Sequence, residues 1–191
     1  MTKGRLEAFS DAVIAIAMTI MVLEIKVPHG SDWEAIRPAI PLFLTYVLSY
    51  VFLGIYWNNH HHLLQASTHV NGAVLWANLH LLFWLSLVPV ATGWWGESNF
   101  APLPTAAYAV VQVFAALAYT HLQSAIISHH GPQSKLGAAV GKNFKGKLSL
   151  GCYVAAVPLA FVHPLISTAM MVFVASIWFI PDRRIESRLN A

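Results

Sequence analysis

Residues 9–23 read FSDAVIAIAMTIMVL, and after the aspartate every residue in this stretch is apolar except one threonine. A helix that crosses a bilayer needs about 20 mostly apolar residues at a rise of about 1.5 Å each. With its flanking residues the stretch reaches that length, from about Arg5 to Val27, and Pro28 stops it. Asp11 lies within it and no small-residue cleavage site follows. We therefore predict a first membrane span and not a removable signal peptide.

The composition extends this prediction to the whole chain. Hydrophobic residues make up 57% of the 191 residues and charged residues only 10%, whereas soluble domains carry about 25% charged residues. So few charges cannot cover a soluble domain, which excludes a soluble enzyme and favours lipid as the surrounding solvent. The single cysteine, Cys152, excludes an intrachain disulfide and a zinc site built from cysteines. A net charge of +3 does not indicate a nucleic-acid partner.

Five further apolar segments follow the first. We predict spans at about 38–57, 73–95, 104–128, 148–162 and 165–180. The last two divide one apolar block at His163 and Pro164, and a single long helix kinked there, giving five spans, is the alternative. The prediction is an all-α, polytopic membrane protein with one six-helix domain over residues 1–191.

The distribution of positive charge tests the number of spans. With six spans, nine of the eleven lysine and arginine residues fall on the side that holds both termini; they are Lys3, Arg5, Lys135, Lys142, Lys145, Lys147, Arg183, Arg184 and Arg188. Cytoplasmic loops of membrane proteins are enriched in these residues. An odd number of spans would place the C-terminal arginines outside, so six spans with both termini cytoplasmic is the better prediction.

Polar residues cluster near the inner ends of the first three predicted spans. Asp11 lies one or two turns inside an apolar helix, where a carboxylate is costly unless it is paired or reaches water. We therefore expect hydrogen bonds between Arg5, Ser10 or Asp11 and the polar residues of the next two spans. The candidate partners are Trp57, Asn58, Asn59, His60, His61, His62, Asn78 and His80. Such a network either orients the helices or serves function, and the residues alone leave both open.

The ten histidines do not form a metal-binding pattern. Adjacent residues of a helix point about 100° apart, so the side chains of His60–His62 cannot all bind one ion. No His-Glu-x-x-His sequence is present. We therefore predict no bound metal.

An apolar stripe runs along the first predicted span. Ile16, Ile20 and Leu23 are spaced at i, i+4 and i+7 and so share one helix face. Thr19 is the only polar side chain at that depth. An apolar stripe that is identified from periodicity alone more often packs against another helix than serves a function.

The pattern Arg5-x-x-x-Phe9-Ser10-Asp11 resembles the signature of the transmembrane protein 175 family, the lysosomal and prokaryotic potassium channels. Residues 9–28 resemble the whole first helix of prokaryotic members. Residues 57–61 and 78–89 resemble further polar positions of the family. The resemblance is specific over about the first 90 residues and generic in the later helices.

This resemblance implies a homotetramer in the plasma membrane, with four first helices around a central pore. It implies a passive, potassium-preferring cation channel without a cofactor, whose partners are copies of itself, potassium ions and the lipid bilayer. Ile16 would form the principal hydrophobic constriction, with Ile20 and Leu23 as further apolar layers and Thr19 as a polar layer. Arg5, Phe9, Ser10 and Asp11 would fix the pore helix to its neighbours, in a network with Trp57, His60 and Asn78.

The sequence also has no Thr-Val-Gly-Tyr-Gly loop of the kind that lines the filter of ordinary potassium channels. A hydrophobic constriction can gate by dewetting, and modest cation selectivity is expected. Glu24, near the outer end of the first helix, would concentrate cations there, although Lys26 opposes this effect.

Two other functions compete with the channel. One is a proton- or solute-coupled transporter that uses Asp11 and His60–His62 as a relay. The other is a membrane-embedded enzyme that uses His60–His62 to hold a metal.

Overall fold

A computed structural model describes residues 2–67, 69–130 and 144–179, and all regular secondary structure in these ranges is helical. The α-helices are α1 (Lys3–Ile20), α2 (Trp33–Ile36), α3 (Ile40–Gln65), α4 (Gly72–Ser86), α5 (Val88–Glu97), α6 (Pro102–His130), α7 (Phe144–Val162) and α8 (Pro164–Phe179). A 3-10 turn, Met21–Glu24, continues α1, and a second, Arg37–Ala39, leads into α3. The fold is therefore all-α over the described residues.

The first two helices differ in length from the predicted spans. The first ends at Glu24, three residues before the predicted end, because Ile25 adopts an extended conformation with ψ 103°. α3 continues to Gln65, eight residues beyond the predicted end at Trp57. No proline or glycine interrupts residues 58–65, and Asn59 Nδ2 donates to the Ile55 carbonyl of its own helix at 2.8 Å. The polar residues after Trp57 are thus helical and not a loop.

The third predicted span consists of two helices, α4 and α5, which meet at Leu87. Pro89 is the second residue of α5. It has no backbone N–H, and its ring would clash with the Leu85 carbonyl if the helix ran on. The break therefore falls two residues before this proline.

The last apolar block forms two helices that are separated by His163 alone. Pro164 begins α8, at a position where a helix tolerates proline. α7 and α8 pack along each other, which two halves of one kinked helix would not do. Pro158 is accommodated inside α7.

Five helical segments of the described residues are long and apolar enough to cross a membrane, and α8 is shorter. Its 16 residues span about 24 Å at about 1.5 Å per residue. The chain is therefore a multi-pass membrane protein. That it has six spans and that both termini are cytoplasmic remain predictions. Several cations on which the orientation depends lie outside the described residues, namely Lys135, Lys142, Arg183, Arg184 and Arg188.

The core of the bundle is centred on α6, which packs against α4, α5, α7 and α8. Small side chains let helices approach closely in membrane proteins, and the buried residues of α6 include Ala106, Ala109, Ala115 and Ala118. α1 instead lies at the edge of the bundle, against α3, α4 and α5. Its position leaves one face of α1 without a packing partner among the described residues.

Candidate pore-lining helix

The buried face of α1 attaches this helix to the bundle. Its residues recur every three or four positions, as one face of an α-helix requires. They are Leu6, Ser10, Ile14 and Ala17, followed by Met21 in the 3-10 turn. Ile14 is completely buried, so the contact with α3 and α4 continues to the middle of the helix.

The opposite face of α1 carries the predicted constriction residues, and all of them are exposed in the single chain. The exposed fractions are 57% for Ile16, 42% for Ile20 and 79% for Leu23. Thr19 is exposed on the same face. Its hydroxyl lies 2.9 Å from the Ala15 carbonyl and 3.0 Å from the Ile16 carbonyl, to which it can donate. The hydrogen of this hydroxyl is therefore directed to the backbone, and its oxygen keeps acceptor capacity on the exposed side.

The exposed face extends toward the N-terminal end of α1 through Phe9 and Arg5. Phe9 precedes Ile16 by seven positions and Arg5 precedes it by eleven. At 3.6 residues per turn these are about two and three full turns, so the three side chains point in nearly the same direction. Arg5 was expected to join the polar network, but no hydrogen bond or ion pair of Arg5 occurs within the described part of the chain. The reason is geometric, since Arg5 and Ser10 lie about 140° apart around the helix.

A buried chain of hydrogen bonds links α1 to α3 and α4. His60 Nε2 lies 2.7 Å from Asn78 Oδ1, Asn78 Nδ2 donates to Ser10 Oγ at 2.9 Å, and Ser10 Oγ donates to the Leu6 carbonyl at 2.8 Å. Because the Asn78 oxygen can only accept, His60 Nε2 must carry the hydrogen. His60 Nδ1 is then an acceptor, and it is buried without a partner among the described residues.

Asp11 is held by a separate bond. The Trp57 indole donates from Nε1 to Asp11 Oδ1 at 3.0 Å, in a partly exposed environment. The His61 ring is stacked on Trp57 with 6.1 Å between ring centroids. An indole N–H only donates, so Trp57 cannot pass a proton between Asp11 and the histidines. The structure thus brings five of the predicted network residues to one junction. They form two separate hydrogen-bonded groups, Ser10–Asn78–His60 and Asp11–Trp57.

His80 was expected near Asp11 but lies elsewhere. It accepts a hydrogen bond from Trp84 Nε1 at 3.1 Å, and its ring centroid is 5.8 Å from that of His121. His80 follows Asn78 by two residues, so it points to another side of α4. Among the described residues, no group of three or more histidine, cysteine, aspartate or glutamate side chains is placed to hold a metal ion.

A second buried polar network was missed by the sequence analysis. Tyr108 of α6 shares a hydrogen bond of 2.9 Å with Ser49 of α3, and Thr92 of α5 donates to the same serine at 2.7 Å. Gln112 donates to the Tyr108 oxygen at 3.0 Å. The only sequence signal was the spacing of Tyr108 and Gln112, which at i and i+4 share a helix face. This network joins α3, α5 and α6 behind α1.

Charged residues follow the C-terminal end of α1. Lys26 Nζ lies 3.4 Å from Glu97 Oε1, and both side chains are exposed. Glu24 lies beside Gly93, where a Cβ added to the glycine would be 3.8 Å from the Glu24 carboxylate oxygen. The lysine of this region is therefore paired with Glu97 and not with Glu24.

The family model of the endosomal/lysosomal potassium channel TMEM175 matches residues 5–89 of this chain. Over 190 residues the chain is 53% identical to a potassium channel of Chryseobacterium sp. (strain P1-3), covering 100% of this chain and 99% of the relative. The chain belongs to the TMEM175 family. A potassium channel of Streptomyces collinus is 33% identical over 178 residues, which cover 87% of this chain and 86% of that relative.

The fold is also that of a solved TMEM175 structure. The crystal structure of a lysosomal potassium-selective channel TMEM175 homolog from Chamaesiphon minutus superimposes with a TM-score of 0.78 and 26% identity. The match covers 94% of this chain and 97% of that one. The residues matched by the TMEM175 family model include α1, α3 and α4, the helices that the Ser10–Asn78–His60 bonds connect. The resemblance to TMEM175 read from the first 90 residues is thereby confirmed.

Proposed function

We propose that this chain is one subunit of a potassium-preferring cation channel, in which four copies place the exposed face of α1 around a central pore. The observation that carries this proposal is the continuous exposed face from Arg5 to Leu23 on a helix whose other face is buried. Such a face in a membrane protein contacts lipid, water or another chain. Relatives named potassium channels, which match 100% and 87% of this chain, support the pore.

The chemistry of this face determines the mechanism. A ring of Ile16 side chains offers no oxygen atoms, so a cation must lose part of its water there without replacement ligands. Hydrophobic constrictions of this kind gate by dewetting, and their selectivity for potassium is modest. Thr19 supplies the only hydroxyl oxygen on the face. Conduction is passive, across the plasma membrane that the bundle spans, and requires no resident metal.

The polar junction then has a mechanical role. Ser10 is completely buried between Asn78 and the α1 backbone, so the His60–Asn78–Ser10 bonds fix the rotation of α1 relative to α3 and α4. A rotation of one residue, about 100°, would turn Ile16 away from the axis. The network therefore holds the constriction in register in each subunit.

The coupled transporter is the weaker alternative. It needs a proton path between Asp11 and the histidines, and the side chain bonded to Asp11 is an indole that only donates. Flux that saturates and follows a second gradient would nevertheless favour it over the channel.

Potassium flux from liposomes tests the proposal. Vesicles that contain the purified protein and potassium chloride are diluted into sodium chloride with a protonophore and a pH-sensitive dye. We expect potassium-driven dye quenching, and we expect Ile16→Asn to increase the flux and reduce the preference for potassium over sodium. Ile166→Asn, the same change at an exposed position of α8, is the control and should behave as the unmodified protein. No flux, or an Ile16→Asn variant with unchanged flux and selectivity, would contradict the proposed pore.

A further inference from the structure

Glu24 directly follows Leu23, the outermost apolar residue of the exposed face of α1. Consecutive Cα atoms are about 3.8 Å apart, so the carboxylate begins where the apolar lining ends. Both residues belong to the 3-10 turn that closes α1. The inference drawn from this placement rests on the proposed function, because it needs copies of α1 around one axis.

The charges around Glu24 leave its carboxylate uncompensated. Lys26 is the nearest cation in the sequence, but its Nζ is directed to Glu97, 3.4 Å away at the end of α5. No ion pair or hydrogen bond of the Glu24 side chain occurs within the described residues. Lys26, which was expected to weaken the effect of Glu24, is thus paired with the Glu97 carboxylate. The net charge of Glu24, Lys26 and Glu97 is −1 for each copy of the chain.

Glu24 lies beside Gly93 of α5. Its Cγ and a carboxylate oxygen are 3.8 Å from the position that a Cβ added at residue 93 would take, which is an ordinary contact distance. The carboxylate stays exposed beside the end of the pore face. The opposite end of the same face carries Arg5, which is also exposed. The two mouths of the proposed pore therefore carry charges of opposite sign.

We propose that the Glu24 carboxylates, one from each copy, form an anionic ring at the outer mouth that concentrates monovalent cations and speeds their entry from outside. Charged mouths with low-dielectric walls raise local counter-ion concentration in this way. The Lys26–Glu97 pair acts as a positioning element, because it holds a positive charge away from the ring. The hydrophobic layers below Glu24 set the selectivity, and the ring sets the rate of entry at low salt.

Ionic strength provides the test, because the Debye length falls from about 30 Å at 0.01 M to about 3 Å at 1 M salt. Single-channel currents are recorded in excised patches of known sidedness for the full chain and for Glu24→Gln. We expect the substitution to lower inward potassium conductance about threefold at 10 mM potassium, to leave it nearly unchanged at 1 M, and to reduce inward rectification. Outward conductance should change less.

Two further variants test whether the effect on conductance depends on the position of the charge or only on the total charge of the outer loop. Glu34→Gln removes the same charge from exposed α2 of the same outer loop and should leave the conductance unchanged. Glu97→Gln releases Lys26 and should lower inward conductance at low salt, although Glu24 is intact. The proposed ring would be overturned if Glu24→Gln currents at 10 mM potassium equalled those of the unmodified channel. It would also be overturned if Glu34→Gln lowered the inward conductance as much as Glu24→Gln. An unmodified chain without potassium current would instead overturn the proposed function itself.

Discussion

His60 Nε2 lies 2.7 Å from Asn78 Oδ1 where α3 and α4 meet, and both side chains are buried. The amide nitrogen of the same asparagine donates to Ser10 of α1. One side chain thus connects three helices in the part of the bundle that supports the exposed face of α1. Among the described residues His60 Nε2 has no other partner, and the Ser10 hydroxyl, which itself donates to the Leu6 carbonyl, has no other donor. Asn78 is therefore the most sensitive position of the junction.

Replacement of Asn78 by leucine should destabilise the protein by about 2 kcal/mol, because it leaves the buried His60 Nε2 without a partner and removes the donor to Ser10 Oγ, which keeps only its own bond to the Leu6 carbonyl. Thermal unfolding in detergent measures the effect. Asn58→Leu is the matched control, since Asn58 makes no side-chain hydrogen bond within the described residues and lies on α3. Equal loss of stability in the two variants would show that the Asn78 bonds do not hold the junction.

A glycine contact between α3 and α5 gives the second prediction. A Cβ at Gly96 would lie 2.6 Å from Leu42 Cα and 2.6 Å from Thr45 Oγ1, and the Leu42 backbone cannot rotate away. Gly96→Ala should therefore push the two helices apart and destabilise the fold by about 1–3 kcal/mol. Gly93→Ala is the control, because its Cβ would meet Glu24 at 3.8 Å, an ordinary contact. Unfolding curves that coincide for both variants would contradict the close approach.

Thr19 gives a prediction about conduction. Thr19→Val keeps the shape of the side chain and removes the oxygen, so potassium conductance should fall while stability changes little. Thr120→Val is the matched control, because Thr120 is also exposed and also donates to its own helix, at 2.9 Å from the Ala116 carbonyl. Single-channel currents in the two variants decide the matter. Unchanged conductance in Thr19→Val would remove this hydroxyl from the ion path.

The sequence predicted the parts of the structure that depend on local pattern. The apolar run after Asp11 predicted α1, and the need to pair polar groups in lipid predicted bonds from Ser10 and Asp11 to α3 and α4. It did not predict which partner each group takes. His80 was grouped with Asn78, and only the rotation of α4 in the bundle shows that the two point in different directions.

Long-range packing explains the other differences. Ser49 and Tyr108 lie 59 positions apart, and nothing in the spacing of two isolated polar residues predicts that they meet. The predicted second span ends at Trp57, yet residues 58–65 have no helix breaker and remain in α3. Arg5 was expected in the network both from its place near Ser10 and Asp11 and from the motif, whereas the helical period places it on the exposed face.

Thiol accessibility at Ile16 tests the central claim, that the exposed face of α1 lines the pore. Cys152 is the only cysteine of the chain, so Ile16→Cys in a Cys152→Ser background carries a single thiol. A water-soluble, cationic thiol reagent should then block potassium current through Ile16→Cys channels. Ile166→Cys on the exposed surface of α8 should conduct as before. Block of the first variant alone is the predicted result, and currents of Ile16→Cys that resist the reagent as fully as those of Ile166→Cys would contradict the account.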